Sequence, residues 1–154
     1  MMRLGLAALA LTATTWAAPL SAEEQNLKFH FVTVDLASTG IDVPHTEDHG
    51  LNLDKSVGVA MFEDGRIAFK EFVFAGENTA DGTKGIGYST YTFQNGDALN
   101  FRFKFEVSGG DYELISGTGA YEGATGTGRF DWVESKWENA SEWDGSFTLE
   151  VPAN

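Results

Sequence analysis

Two histidines four residues apart are the first candidates for chemistry in this chain. They are His45 and His49, in the segment PHTEDHG at residues 44–50, with two acidic residues between them. On a helix this spacing would place both rings on one face, where they could bind zinc. However, a proline and a glycine flank the segment and no helical pattern continues beyond it. We therefore favour a solvated polar loop over a metal site, and no metal is predicted.

The glycine-rich stretch ISGTGAYEGATGTG, residues 115–128, is a second candidate. Its first glycines have the spacing of a dinucleotide-binding fingerprint, which needs a following helix because the helix N-terminus binds the pyrophosphate. Too many glycines follow for a helix to form, and no lysine follows a glycine as in a Walker motif. We predict a turn between two strands, and no cofactor. The structural glycines of this turn are Gly117, Gly119, Gly123, Gly126 and Gly128.

Aromatic residues supply the candidates for ligand binding. Tyr88 and Tyr91 lie on opposite faces of a strand, and whichever faces the interior can donate a hydrogen bond to a ligand oxygen. In LNFRFKFEV, residues 99–107, phenylalanines alternate with polar residues. Such rings either fill a small barrel or contact a ligand in a wider one, and the sequence leaves both open. The predicted ligand-binding residues are Tyr88, Tyr91, Phe101, Phe103, Phe105 and Trp132.

The C-terminal tryptophans suggest an alternative function. Trp132, Trp137 and Trp143 occur among acidic residues, and exposed indoles beside carboxylates can stack on sugars. The alternative is therefore a carbohydrate-binding or structural surface protein, although these side chains can also plug or rim a barrel. No catalytic residue is assigned, because nucleophile-elbow, HExxH and EF-hand motifs are all missing from the sequence. His30 and Asp35 are predicted on opposite strand faces and so are not catalytic partners.

The elements that must position these residues are β-strands. Segments in which apolar and polar residues alternate recur along the chain, and turn signals such as EDG, NGD and DG separate them. About eight short strands and no significant helix favour an all-β fold, most simply a single antiparallel closed barrel, because closure removes strand edges; a sandwich is the other solution. The predicted strands span residues 27–36, 56–62, 66–74, 85–93, 99–107, 112–116, 125–134 and 146–151. Longer connections are predicted at residues 37–55 and 135–143.

The charge balance excludes some partners. The 154 residues include 23 acidic and 10 basic side chains, a net charge of −13, so that nucleic acid and anionic membranes are unfavourable partners. Cysteine is absent and twelve phenylalanines are present. Stability must therefore come from an aromatic core or from oligomerisation rather than from disulfides.

The N-terminal segment predicts export. Arg3 precedes an uncharged apolar run, and small residues then lead to Ala22 and two glutamates. This is the pattern of a secretory signal peptide, residues 1–22, and the run is too short to span a membrane. We expect a periplasmic or extracellular protein, cleaved near Ala22, with one domain at residues 23–154 and no membrane insertion.

A family resemblance is carried by YELISGTGAYEGATGTGRF, residues 112–130. It resembles the Y-x-I-x-G-G-T-G-x-[YF]-x-G-A-x-G-x-G-x-F stretch of allene oxide cyclase-like and dirigent-like barrel proteins, and departs from it at Ser116, where the family usually has glycine. GIGYSTYTFQNGD, residues 85–97, and the following strand are similar to bacterial members. The resemblance implies a calycin-like, eight-stranded antiparallel barrel with an apolar lumen, often in homodimers or homotrimers.

The same resemblance implies a function inside the barrel. The plant cyclases isomerise a fatty-acid epoxide, and dirigent proteins steer the coupling of phenoxy radicals. We therefore expect a small apolar or aromatic molecule in the lumen, steered or isomerised without a cofactor. Whether a reaction is catalysed stays open, because fold does not fix chemistry, and no polar residue of the family is carried over to this chain.

Overall fold

Eight strands follow one another around a closed antiparallel barrel in the computed structural model, which describes residues 22–153. This confirms the all-β barrel predicted from the alternating pattern. The predicted signal peptide lies outside the described residues, apart from Ala22. The strands are β1 Ala22–Asp42, β2 Gly50–Phe62, β3 Ile67–Thr79, β4 Gly82–Phe93, β5 Ala98–Glu106, β6 Gly109–Gly117, β7 Thr125–Val133 and β8 Ser141–Pro152.

Each strand pairs with the next along the chain, and the first pairs with the last. Residues 22–33 of β1 are aligned with residues 141–152 of β8, which closes the barrel. The described part contains one short helix, the 3₁₀ turn Gly119–Tyr121. In residues 22–153 no helix is long and apolar enough to cross a bilayer.

The strands β1 and β2 are longer than predicted. The expected connection at residues 37–55 is mostly strand, and only residues 43–49 join β1 to β2. Residues 34–42 are exposed, so their sequence lacks the alternation of buried apolar and exposed polar residues that predicts a strand. Pairing with β2 satisfies their backbone instead, and Ser38 Oγ donates a 2.6 Å hydrogen bond to Asp54. The second long connection is also shorter than expected, at residues 134–140.

The glycine-rich stretch forms the end of β6, the 3₁₀ turn and the start of β7. Gly119 and Gly123 have φ values of +61° and +74°, which favour glycine. A Cβ on Gly119 would also clash with the Asp97 carboxylate, which accepts a 3.2 Å hydrogen bond from the backbone N–H of Ala120. No pyrophosphate-binding helix follows in the described chain, since the turn is three residues long.

The lumen is filled in one half. We call the end that carries the β2–β3, β4–β5 and β6–β7 turns the closed end, and the opposite end the mouth. Toward the closed end the rings of Phe101 and Phe147 stack with centroids 4.2 Å apart. At the end itself, the Arg66 guanidinium donates to the Tyr121 hydroxyl and lies 5.5 Å from the centroid of the Phe93 ring.

Candidate lumen site

The half of the lumen nearer the mouth contains a cavity of about 190 Å³. Its walls are mostly aromatic, and its polar groups lie at the floor and at the rim. We call this cavity the lumen cavity. Its aromatic lining consists of Phe31, Phe72, Phe74, Phe103, Phe105, Tyr112, Phe130 and Trp143; its polar lining consists of Thr33, Asp35, Asp54, Ser56, Lys70 and Ser141.

Lys70 lies at the floor of the lumen cavity and is 2 % exposed. Its Nζ is 2.6 Å from Tyr91 Oη, 2.8 Å from Tyr112 Oη and 3.0 Å from Ser89 Oγ. Lys70 on β3 and Tyr91 on β4 are paired positions, so that both side chains enter the lumen at one level. Tyr112 reaches the same point from β6. We call Lys70, Tyr91 and Tyr112 the lysine–tyrosine cluster.

The Lys70 amine is surrounded by rings rather than by carboxylates. Its Nζ is 4.4 Å from the centroid of Phe31 and 5.2 Å from that of Phe72, and no salt bridge to Lys70 is found within residues 22–153. Burial without a counterion disfavours the charged form and lowers the pKa of the Lys70 amine well below its ordinary 10.5. The ring faces offset only part of this cost.

The two tyrosines of the cluster stay protonated. Burial raises the pKa of Tyr91 well above its usual value of 10.0 and raises the pKa of Tyr112 as well. Their hydroxyl oxygens are 2.9 Å apart, so the cluster is a continuous chain of exchangeable protons. It can donate hydrogen bonds to a ligand oxygen and can pass a proton between oxygen and nitrogen.

The mouth carries negative charge. Asp35 is exposed at the rim of the lumen cavity and accepts a 2.5 Å hydrogen bond from Ser56 Oγ. Asp54 is half-buried on the neighbouring strand. The site therefore has carboxylates at its entrance, rings along its walls and the lysine–tyrosine cluster at its floor.

Trp143 brings a free donor to the wall of the lumen cavity. Its Nε1 is buried and has no hydrogen-bond partner among the described residues. The indole ring stacks against Phe31 at 6.0 Å between centroids, and Phe31 in turn contacts the Lys70 amine. A buried donor without a partner is costly, so an acceptor atom on a bound molecule would be stabilised at this wall.

The predicted ligand-binding residues divide between the inside and the outside of the barrel. Tyr91 belongs to the lysine–tyrosine cluster, and Phe103 and Phe105 line the lumen cavity. Phe101 lies in the filled half, fully buried. The two remaining residues, Tyr88 and Trp132, lie on the outer surface, 52 % and 50 % exposed.

The three histidines lie away from the lumen cavity. His49 Nε2 is 2.5 Å from a Glu77 oxygen, and His45 lies in the β1–β2 connection with a φ of +64°. His30 is paired with Asp144 at 2.9 Å on the outer surface, whereas Asp35 faces the rim of the lumen cavity. Within residues 22–153 no three His, Cys, Asp or Glu side chains lie close enough to hold a metal ion.

Sequence reasoning missed the most distinctive residue of the site. Lys70 lies in the run IAFKEFVF, residues 67–74, which is apolar on both faces, so that the alternation does not identify the inner one. A signal was nevertheless present, because Ala68, Lys70, Phe72 and Phe74 share one face. A lysine within an otherwise apolar strand face indicates a buried amine. The sequence suggested a sugar-stacking role for Trp143, or a place in the plug or rim of the barrel, but did not single it out as a ligand-binding residue of the lumen.

Comparison with known proteins identifies the fold. No family model matches the chain, and no curated protein matches it in sequence. Among solved structures, one pterocarpan synthase dirigent protein superposes with a TM-score of 0.61 at 11 % identity, covering 94 % of this chain and 98 % of its own. The barrel has the dirigent fold. A second pterocarpan synthase dirigent protein gives a TM-score of 0.59 at 10 % identity, covering 86 % of this chain and 97 % of its own. The dirigent-like resemblance expected from residues 112–130 is thus confirmed for the fold.

Proposed function

We propose that this dirigent-like barrel binds a small aromatic molecule with a polar substituent in its lumen cavity. The observation that carries the proposal is the lysine–tyrosine cluster at the floor of an aromatic-walled cavity. Aromatic walls with a few convergent polar groups are typical of small-molecule sites. Both structural neighbours are pterocarpan synthase dirigent proteins, and the proposal is compatible with a reaction on a bound molecule, although the synthase activity is a property of those proteins.

The size of the lumen cavity supports a single-ring ligand. Its volume of about 190 Å³ exceeds the roughly 150 Å³ in which an engineered apolar cavity binds benzene. A ring lying between the walls would place a hydroxyl substituent near the lysine–tyrosine cluster or the Trp143 Nε1. Fixing one orientation in this way steers a reactive molecule without a cofactor, because orientation alone lowers the entropic part of a barrier.

The binding test compares two molecules of nearly the same shape, phenol and toluene. Both are titrated into the protein while the indole N–H signals of Trp143, Trp132 and Trp137 are followed by NMR, with the Trp143 signal assigned from Trp143→Phe. We expect the Trp143 signal to move and the two exposed indoles to stay, with phenol bound more tightly than toluene. An unmoved Trp143 signal at saturating phenol, or equal shifts of all three indoles, would refute the proposal.

We also propose that copies of the barrel associate through the outer face of β1–β4. Large apolar side chains are exposed there, and Val59 pairs with Phe69 while Val73 pairs with Tyr88 on adjacent strands. Contiguous exposed apolar surface of this kind is typical of interaction sites. Phe69→Glu should shift the mass measured by light scattering toward the monomer, whereas Ile115→Glu, on the exposed side of β6, should not. A monomeric wild type would refute this proposal.

The carbohydrate alternative has support only on the outside of the barrel. Trp132 and Trp137 are exposed, Trp137 to 67 %. Affinity electrophoresis in soluble glycans tests it with Trp132→Ala and Trp137→Ala. Equal mobility of the wild type with and without glycan would discard it.

We propose export on the basis of the N-terminal pattern described above. N-terminal sequencing of the protein recovered outside the cytoplasm should begin at Glu23. Recovery of the uncleaved chain from the cytoplasm alone would contradict export.

A further inference from the structure

The Lys70 amine is a nucleophile enclosed by hydroxyl groups. Lysine side chains usually reach solvent, where they are protonated and unreactive. Here the amine lies inside the barrel, bonded to Ser89, Tyr91 and Tyr112 and without a carboxylate partner in the described residues. Simple binding of a phenol would need only a hydrogen-bond donor, which the two tyrosines already supply. The amine is therefore unexplained by binding alone.

The surroundings of Lys70 favour its neutral form. Burial lowers the pKa of this amine well below 10.5, and a neutral lysine in an apolar pocket is the form that attacks carbonyl groups. The charged groups that line the cavity are Asp35 and Asp54, both at the mouth rather than at the amine. The remaining titratable groups that face Nζ are Tyr91 and Tyr112, whose hydroxyls stay protonated.

We propose that the lumen cavity captures aromatic aldehydes by forming an imine between Lys70 Nζ and the aldehyde carbon. The inference rests on the proposed function, because the ring must occupy the same cavity. The aldehyde ring would pack among Phe31, Phe72 and Phe103, with its carbonyl group directed at the floor.

The lysine–tyrosine cluster can supply and take back every proton that imine formation requires. The Nζ lone pair forms the N–C bond, and the carbonyl π electrons move to oxygen, which takes a proton from the Tyr112 hydroxyl. The nitrogen then releases a proton that returns to the tyrosine pair, 2.6 and 2.8 Å away. Loss of the second nitrogen proton and of the hydroxyl group as water leaves the C=N bond. The overall change is amine plus aldehyde giving imine plus water, with both tyrosines restored.

The test is reductive trapping with benzaldehyde. The folded full chain is incubated at neutral pH with benzaldehyde and cyanoborohydride, then digested and analysed by mass spectrometry. We expect one benzyl group on Lys70, formed at least tenfold faster than on exposed lysines such as Lys104, and no preference for Lys70 when the wild-type chain is unfolded in urea. The unfolded wild type is a control that does not depend on the folding of a variant. A folded Lys70→Met variant should lose the fast adduct.

Benzyl alcohol separates this inference from the proposed function. It has the same ring but no carbonyl group, and it should move the Trp143 indole signal without modifying the protein. If benzyl alcohol binds and Lys70 is trapped no faster than Lys104, imine formation is refuted and the binding site stands. If benzyl alcohol leaves the Trp143 signal unmoved and Lys70 is not trapped, both proposals fail.

Discussion

The Lys70 amine and the Tyr112 hydroxyl lie 2.8 Å apart although 42 residues separate them along the chain. They belong to β3 and β6, which are not neighbours in the sheet. Two strands lie between them in the sheet, so their contact crosses the lumen and exists because the sheet curls into a barrel. The curvature that brings the first and last strands together therefore also assembles the polar floor of the cavity.

The first prediction concerns the pH dependence of stability. An unfolded lysine titrates near 10.5, and burial lowers the pKa of folded Lys70 below that value. Between the two pKa values the unfolded chain binds more protons, so the free energy of unfolding rises with pH, by at most about 1.4 kcal/mol per pH unit. Below the folded pKa, or above 10.5, the contribution of Lys70 is constant. Lys70→Met should remove this rise.

Urea titrations between about pH 7 and about pH 9.5 measure the effect of Lys70 before the tyrosines begin to ionise in the unfolded chain near pH 10. The buried tyrosines have raised pKa values and so act in the opposite sense above that range. Lys104→Met, at an exposed position of β5, should keep the wild-type slope. Parallel curves for the wild type and Lys70→Met would show that folding leaves the protonation of Lys70 unchanged.

The second prediction separates the filled half of the lumen from the open half. Phe101 is 0 % exposed and stacks on Phe147, so Phe101→Ala should cost about 3–5 kcal/mol of unfolding free energy. Phe105 is half-buried and already borders the lumen cavity, so Phe105→Ala should cost clearly less. Urea denaturation of both variants makes the comparison, and equal losses would contradict the division of the lumen.

The fold could be predicted from the sequence because its strands and turns each leave a local pattern, alternation within a strand and glycines at a turn. Alternation in residues 99–107 correctly placed Phe101 and Phe103 inside, and glycines marked the β6–β7 turn. The extensions of β1 and β2 were missed because strand pairing, rather than burial, holds residues 34–42. Alternation with period two identifies a strand only where one of its faces is buried. It does not identify a strand whose two faces are both exposed to solvent.

The site was only partly predictable, because it depends on contacts across the lumen. Tyr91 and Tyr88 were equal candidates from the sequence, and only the burial in the folded barrel shows that Tyr91 is inside. Lys70 was hidden by apolar neighbours on both strand faces, and its role depends on Tyr112 on β6, three strands further along the sheet. Long-range pairing of this kind leaves no mark in spacing along one strand.

The third prediction concerns the glycine-rich turn. Gly119→Ala must place a side chain at a φ of +61° and against the Asp97 carboxylate. Gly96 also has a positive φ, +91°, but a Cβ there would meet open space. Both changes should destabilise the barrel, and Gly119→Ala should exceed the roughly 1 kcal/mol expected for Gly96→Ala from backbone conformation alone. Thermal unfolding of the two variants side by side gives the difference; a smaller loss for Gly119→Ala would contradict the close approach of Asp97.

The last prediction concerns the closed end. The Tyr121 hydroxyl accepts a hydrogen bond from Arg66, whose guanidinium also covers the Phe62 and Phe93 rings and is bonded to Asp64. Tyr121→Phe removes an acceptor for a charged donor that is still partly solvated, and should cost about 1–2 kcal/mol. The matched change Tyr88→Phe, at an exposed tyrosine on the outer face, should stay within about 0.5 kcal/mol of the wild type.

The same variant also tests whether the two ends of the barrel are independent. The Tyr121 hydroxyl is at the closed end, and the packed rings of Phe101 and Phe147 belong to the filled half between that end and the lumen cavity. Phenol affinity should therefore be unchanged in Tyr121→Phe even as the unfolding free energy falls. A weakened phenol complex in a folded Tyr121→Phe variant would mean that the filled half transmits changes from the closed end to the cavity, and the cavity could no longer be treated as a site formed by the mouth half alone.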